Sequence, residues 1–293
     1  MNRFLLFLFF SLCSNFSFSN PSLEGDVEKI KAHLDGLVKG GGKLSDERIQ
    51  LRLKEMASSL EVGTREYYDV FNLIGVSYLL SKDESMVIKS ESFFKIALEG
   101  GVEAAAQNLA ELEFYRDRYK ESLYYLSLIS NDYIKGERNR VRYYRLKGQI
   151  LFLSGEVSVN RHKAVDIFED IEGLDESGIS SYFIGFDLFY KGELNLALEK
   201  FNSSISLGNE SSMMFLGDLY YQGEYVERNI GKASEYYEMA YSLDNARAAF
   251  NLAMIYREKQ DIEKLKDYIR RAAELGHEKA LHIFEKIQQS KPR

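Results

Sequence analysis

Residues 213–280 read MMFLGDLYYQGEYVERNIGKASEYYEMAYSLDNARAAFNLAMIYREKQDIEKLKDYIRRAAELGHEKA, and the stretch says the same thing twice. The first copy carries Leu216-Gly217, Tyr220 and Gly223, then Lys232-Ala233, Tyr236, Ala240-Tyr241 and Asp244. The second carries Leu252-Ala253 and Tyr256, then Lys264-Leu265, Tyr268, Ala272-Ala273, Gly276 and Ala280. Leu216 to Leu252 is a step of 36 residues, a period that marks stacked helical repeats. Within each copy, small and bulky apolar residues recur at helical spacing, which predicts two antiparallel helices per unit. Gly217 and Ala253 let the second helix approach closely, and Gly276 suits a helix C-terminus. A helix pair of this kind buries its apolar face only by stacking on its neighbours.

The same ruler fits upstream. Ile74-Gly75 and Tyr78 match the first helix; Lys89-Ser90, Phe93, Ala97-Leu98 and Gly101 match the second. Leu109-Ala110, Lys147-Gly148 and Ile184-Gly185 supply the remaining anchors. Steps from Ile74 to Leu252 are 35, 38, 37, 32 and 36 residues, so the middle units are degenerate and their turns vary in length. The second helix over 119–129 has lost most signature residues, and Phe168 falls one place late. The predicted fold is all-α: an α-solenoid of about six antiparallel helix pairs over 64–293, closed by a polar capping helix over 277–289. Residues 20–63 hold two more helices around a flexible joint at Gly40-Gly41-Gly42, with Ser45 placed as a cap.

Two prolines in 293 residues leave little to interrupt helices. The formal charge of −7 argues against nucleic acid as the partner, since phosphate binding needs a basic stripe. The densest basic run, Arg138, Arg140, Arg142, Arg145 and Lys147, is short. At the start, Met1-Asn2-Arg3 precedes the apolar run Phe4–Cys13 and a Ser/Asn/Phe stretch, the layout of a secretory signal peptide over 1–19 with cleavage before Asn20. The run is short of the roughly 20 residues that span a bilayer. Removing it takes away the one cysteine and Arg3, leaving 37 basic against 45 acidic residues, or −8. The expected destination is the periplasm or the medium, with no integral membrane segment after processing.

The groups Leu216-Gly217-x-x-Tyr220-x-x-Gly223, Lys232-Ala233-x-x-Tyr236-x-x-x-Ala240 and Lys264-x-x-x-Tyr268-x-x-x-Ala272-Ala273-x-x-Gly276 resemble the Sel-one-like repeat family, a branch of the tetratricopeptide-like solenoids. The match is strong over 211–283, good over 70–106 and weak between. The resemblance implies an exported or lumenal adaptor that binds other proteins in assembly complexes, with no catalytic residues to carry over. Cysteine-rich relatives close each helix pair with a disulfide; this chain lacks those cysteines.

The residues offer little chemistry. His33, His162, His277 and His282 are not at metal-ligand spacing and read as solvated. Asp166, Glu169, Asp170, Glu172, Asp175 and Glu176 lack the loop spacing of a calcium site. Asn202-Ser203-Ser204 and Asn209-Glu210-Ser211 have the form of glycan acceptors. No nucleophile elbow, zinc-protease motif or nucleotide loop is present, so no enzyme, cofactor or metal is expected.

What remains is a surface. In tetratricopeptide-like geometry the first helices line a concave side, with positions −2, +2, +5 and +6 from each anchor pointing there. These are Tyr182, Phe186, Phe189 and Tyr190; Met214, Asp218, Tyr221 and Gln222; and Phe250, Met254, Arg257 and Glu258. Aromatics and Met are enriched at interfaces, and equally they are core residues; both readings stand at this point. The expected role is a scaffold or adaptor for another protein or peptide. Sugar stacking in a carbohydrate-binding protein or an envelope hydrolase, and self-association through the aromatic face, are the alternatives.

Overall fold

The structure, a computed structural model, describes residues 25–30, 32, 34, 47–80, 84–154 and 159–289. The expected leader, the glycine joint and the Ser45 cap lie outside them. Among the described residues every regular element is helical, and no helix is long and apolar enough to cross a membrane. The chain divides into two compact units, residues 1–174 and 175–293.

Unit 1 begins with a helical stretch at 25–30 whose Val27 and Ile30 are buried, followed by α1 (Glu47–Ser59). Three antiparallel pairs follow: α2 (Arg65–Leu79) with α3 (Glu84–Glu99), α4 (Glu103–Tyr115) with α5 (Tyr119–Ser127), and α6 (Glu137–Leu153) with α7 (Val159–Ile171). Unit 2 holds α8 (Ile179–Tyr190) with α9 (Leu194–Ser206), α10 (Glu210–Gln222) with α11 (Ile230–Ser242), and α12 (Ala246–Glu258) with α13 (Ile262–Glu274). α14 (Glu278–Gln289) packs on α13. Six pairs and a final helix are the architecture that the repeat period predicts.

Each pair closes around one contact. A Cβ at Gly217 would lie 2.5 Å from the Tyr237 ring, at Gly75 2.5 Å from Phe94, at Gly148 2.8 Å from Phe168, and at Gly185 3.0 Å from Phe201. Where the small residue is alanine the opposing position holds a smaller side chain: Ala110 with Leu126, and Ala253 with Ile269, all four buried. Full burial of such side chains contributes about 1.5–3 kcal/mol each. This corrects the sequence register. Phe168 is in frame, and the buried ring of α11 is Tyr237 rather than the signature Tyr236. Tyr236 instead stacks on Tyr220 at 5.9 Å and 9°, and Tyr268 stacks on Tyr256 at 5.3 Å and 8°.

In unit 2 the turn from each second helix to the next first helix is the same device. A left-handed residue comes first: Gly208, Asp244 or Gly276, with φ of 81°, 58° and 90°. The residue after it caps the next helix: Asn209 Oδ1 accepts from Ser212 N (3.0 Å), Asn245 Oδ1 from Ala248 N (2.7 Å), and His277 Nδ1 from Ala280 N (3.2 Å). Capping satisfies amides that the helix itself leaves unpaired. Asn209 is thus a buried cap rather than a presented glycan acceptor, and His277 is half-buried rather than solvated. Asp175, from the acidic cluster, is also buried; its carboxylate accepts from Ser180 N (2.9 Å) and fastens the start of α8.

Candidate protein-interaction face

The first helices of unit 2 meet along one side, in two different ways. Between α8 and α10 the contact is aromatic. Phe186 lies 4.6 Å from Phe215 and 5.7 Å from the buried Phe201, and Phe215 lies 4.6 Å from Phe201. Tyr182 packs edge-on against Phe186 at 5.0 Å, and burial pushes its phenol up to about 12. Outward from this seam, Phe189 touches Phe215 at 5.3 Å and Tyr225 at 4.8 Å. Tyr190 lies 5.9 Å from Phe186. Tyr190 is 60% exposed and Tyr225 is 61% exposed.

Between α10 and α12 the contact is polar. Asp218 accepts from Tyr237 Oη (2.7 Å), from Asn251 Nδ2 (3.2 Å) and from Arg247. The phenol of Tyr237 is raised by burial and by that carboxylate. Tyr221 Oη donates to Glu258, and Arg228 Nη2 donates to the other Glu258 oxygen at 2.7 Å. The Tyr221 hydroxyl and Arg228 hold the Glu258 carboxyl below the ordinary carboxylate range. The Glu258 carboxyl is therefore held in ionised form, whereas a glycosidase acid needs a raised pKa.

The sequence-predicted positions separate accordingly. Tyr182, Phe186 and Phe189 are partly buried in the seam, with Phe189 at its outer edge. Met214 is 5% exposed; its position turns into the core, which corrects its assignment to the surface. Asp218 and Tyr221 lock α10 to α12. Phe250 is half-buried and stacked on His277 at 4.3 Å and 13°, and Met254 is half-buried. Tyr190, Gln222 and Arg257 are exposed.

Residues the sequence reading missed include Phe215, which completes the seam, and Tyr225, in the turn after Gly223. It also missed a polar cluster on the first helices of unit 1. There Arg142 donates from Nε and Nη2 to the two Glu111 oxygens at 2.6 Å each, and from Nη2 to Asn108 Oδ1 at 2.7 Å. Asn108 Nδ2 donates to Asn72 Oδ1 at 2.9 Å. Glu111 is 1% and Arg142 4% exposed. Arg142 and the buried Arg145 therefore belong to the interior, not to a basic surface run. A signal was present: Glu111 stands at +2 from its anchor and Arg142 at −5 from the next, the same offsets as Asp218 and Arg247. Among the described residues no cluster of three His, Cys, Asp or Glu side chains could hold a metal ion.

Comparison with known proteins agrees with this geometry. The Sel1 repeat model matches residues 211–245 and 246–277. An ERAD-associated E3 ubiquitin-protein ligase component, HRD3A of Arabidopsis thaliana, is 40% identical over 55 residues, which are 19% of this chain and 8% of that protein. The crystal structure of a Sel1 repeat protein from Oxalobacter formigenes is similar with a TM-score of 0.53 at 16% identity, covering 78% of this chain and 99% of that one. Yeast Tom70 is similar with a TM-score of 0.59 at 14% identity, covering 98% of this chain and 68% of that one. These structural likenesses are of fold. Sel1 and tetratricopeptide-like repeats are scaffolds for protein–protein interaction. The chain is a helical-repeat protein whose residues 211–277 match the Sel1 repeat.

Proposed function

We propose that unit 2 is a docking module for another protein, and that the partner seats on the outer edge of the aromatic seam. The observation that carries this is the pair Tyr190 and Tyr225, both well exposed beside Phe189 and backed by rings that cannot yield. Rigid aromatics on a fixed floor make interface anchors because they bury large area at low entropic cost. That HRD3A is a component of a larger ligase supports a role in assembly. The apolar run Phe4–Cys13 supports an exported, envelope-associated setting, which N-terminal sequencing of the protein from fractionated cells tests; an intact Met1 in the cytosolic fraction would remove it.

The functional test is affinity capture with the full chain, followed by mass spectrometry, beside thermal melts. Tyr190→Ala and Tyr225→Ala are expected to weaken partner capture about tenfold or more with melts unchanged. Phe186→Ala is expected to lower the melt, because its ring fills the seam. Capture that falls only when the melt falls would assign all these rings to the core.

A further inference from the structure

Unit 1 and unit 2 each contain an acid at +2 of one first helix bonded to an arginine at −5 of the next: Glu111 with Arg142, and Asp218 with Arg247. Their surroundings differ. In unit 1 the chain covers the pair itself. The α5–α6 connection, residues 128–136, is nine residues long, and it lays Tyr133 against the pair, where the hydroxyl accepts from Arg142. The segment is fastened at both ends: Ser130 N donates to Glu103 Oε1 at 2.5 Å, and Asn139 Nδ2 donates to Tyr133 O at 3.0 Å. Tyr133 N donates to Ser130 Oγ at 3.2 Å, which shapes the turn.

In unit 2 the equivalent α11–α12 connection, residues 243–245, has three residues and is spent on the left-handed turn and the Asn245 cap. It has no length left to cover anything. The side chain of Asp218 is 26% and that of Arg247 59% exposed. A guanidinium carries five N–H donors, and Arg247 uses them on Asp218 alone. Aromatic side chains stand nearby, as Tyr182 lies within electrostatic reach of Arg247.

We infer that the Asp218–Arg247 pair is a binding site for an extended partner segment that presents a tyrosine, seated as Tyr133 is seated on Glu111–Arg142. The chain thus displays, in one unit, the chemistry of the occupant that the other unit leaves to a partner. The aromatic side chain lies against the pair near Tyr182, and its hydroxyl accepts from Arg247. A short hydroxyl side chain three residues earlier, as at Ser130, holds the turn. This rests on the docking role proposed for unit 2 and specifies the polar end of that face.

The test uses the full-length chain and a fluorescent peptide with the sequence of Leu128–Glu137 (LISNDYIKGE), followed by anisotropy. Binding to the wild-type chain is expected, with a loss of about tenfold for Arg247→Gln and a similar loss when the peptide carries Ala in place of Tyr133. Arg271→Gln, on α13, is expected to bind as wild type, and melts of all variants verify folding. Absence of binding, or equal binding by wild type and Arg247→Gln, overturns the inference. If that happens while Tyr190→Ala still impairs partner capture, the docking face stands and only its assigned occupant falls. If Tyr190→Ala and Tyr225→Ala leave capture intact while the peptide result holds, the aromatic edge falls and the arginine site stands.

Discussion

Gly217 and Tyr237 show how a single residue sets the spacing of a helix pair. An added methyl at Gly217 would overlap the ring, and overpacking of this kind costs about 1–3 kcal/mol. Gly217→Ala is expected to lower stability by that amount despite alanine's better helix propensity. Tyr237→Leu recreates the Ala110–Leu126 combination, so the double variant is expected to be more stable than the sum of the two single effects implies. Denaturant unfolding of the four proteins measures this; additivity within about 0.5 kcal/mol would show that the contact does not govern the choice. The glycine was legible in the sequence, because a small residue follows each anchor. Its partner was not. Tyr236 and Tyr237 are adjacent tyrosines at i+3 and i+4 from Ala233, both compatible with one helix face, and only packing distinguishes them. The same ambiguity hid Phe168, which is in register at four residues beyond Ala164.

The helices themselves were readable from period and turn residues, and their caps fix the register of each one. Counting from the cap, Asn209, Asn245 and His277 place Gly217, Ala253 and Glu285 at the same eighth position. In α14 the close-approach position therefore holds an exposed glutamate where the pairs before it hold a buried small residue. Ala272, by contrast, is fully buried beside Ala249 and Ala280. Ala272→Asp is expected to cost several kcal/mol and Glu285→Ala within about 0.5 kcal/mol; equal melts would refute the register of α13 and α14. The attachment of α14 also depends on pH. His277 accepts an amide hydrogen bond and stacks on Phe250, and burial, with Lys279 adding to it, holds its pKa below the ordinary value. The folded state therefore binds the proton less well than the unfolded chain. The stabilisation is complete above about pH 6.5 and is lost as pH falls through the lower folded value. Protection factors of the 278–289 amides, which correct for the slowing of intrinsic exchange towards acid, are expected to fall as pH drops below the ordinary histidine value of about 6.5, and His277→Asn, which keeps a capping oxygen, is expected to abolish that dependence. A histidine with no regular spacing partner gave no sign of this in the sequence.

At the scale of the whole molecule, the two units line their first helices with different chemistry at equivalent positions. Two residues before each anchor, unit 1 has Asn72, Gln107 and Arg145, all buried, where unit 2 has Tyr182, Met214 and Phe250. The aromatic side was visible in the sequence, because rings at matching offsets are unusual. The polar side was not, because Arg142 reads as surface charge until the 128–136 connection is seen against it. The consequence for stability is asymmetric. Removing one partner of a buried pair leaves an uncompensated charge, at about 3–5 kcal/mol, whereas a half-exposed pair contributes about 0–1 kcal/mol. Arg142→Ala is therefore expected to destabilise the protein severely, and Arg247→Ala hardly at all. In stacked repeats a local loss reaches chiefly the adjoining pairs, so its place can be read as well as its size. Hydrogen exchange of Arg142→Ala is expected to rise first in α4 and α6, while amides of α10 and α12 keep their protection. Uniform loss of protection through residues 47–289 would mean that the chain unfolds as one cooperative body, and the description as separately stabilised units would have to be abandoned.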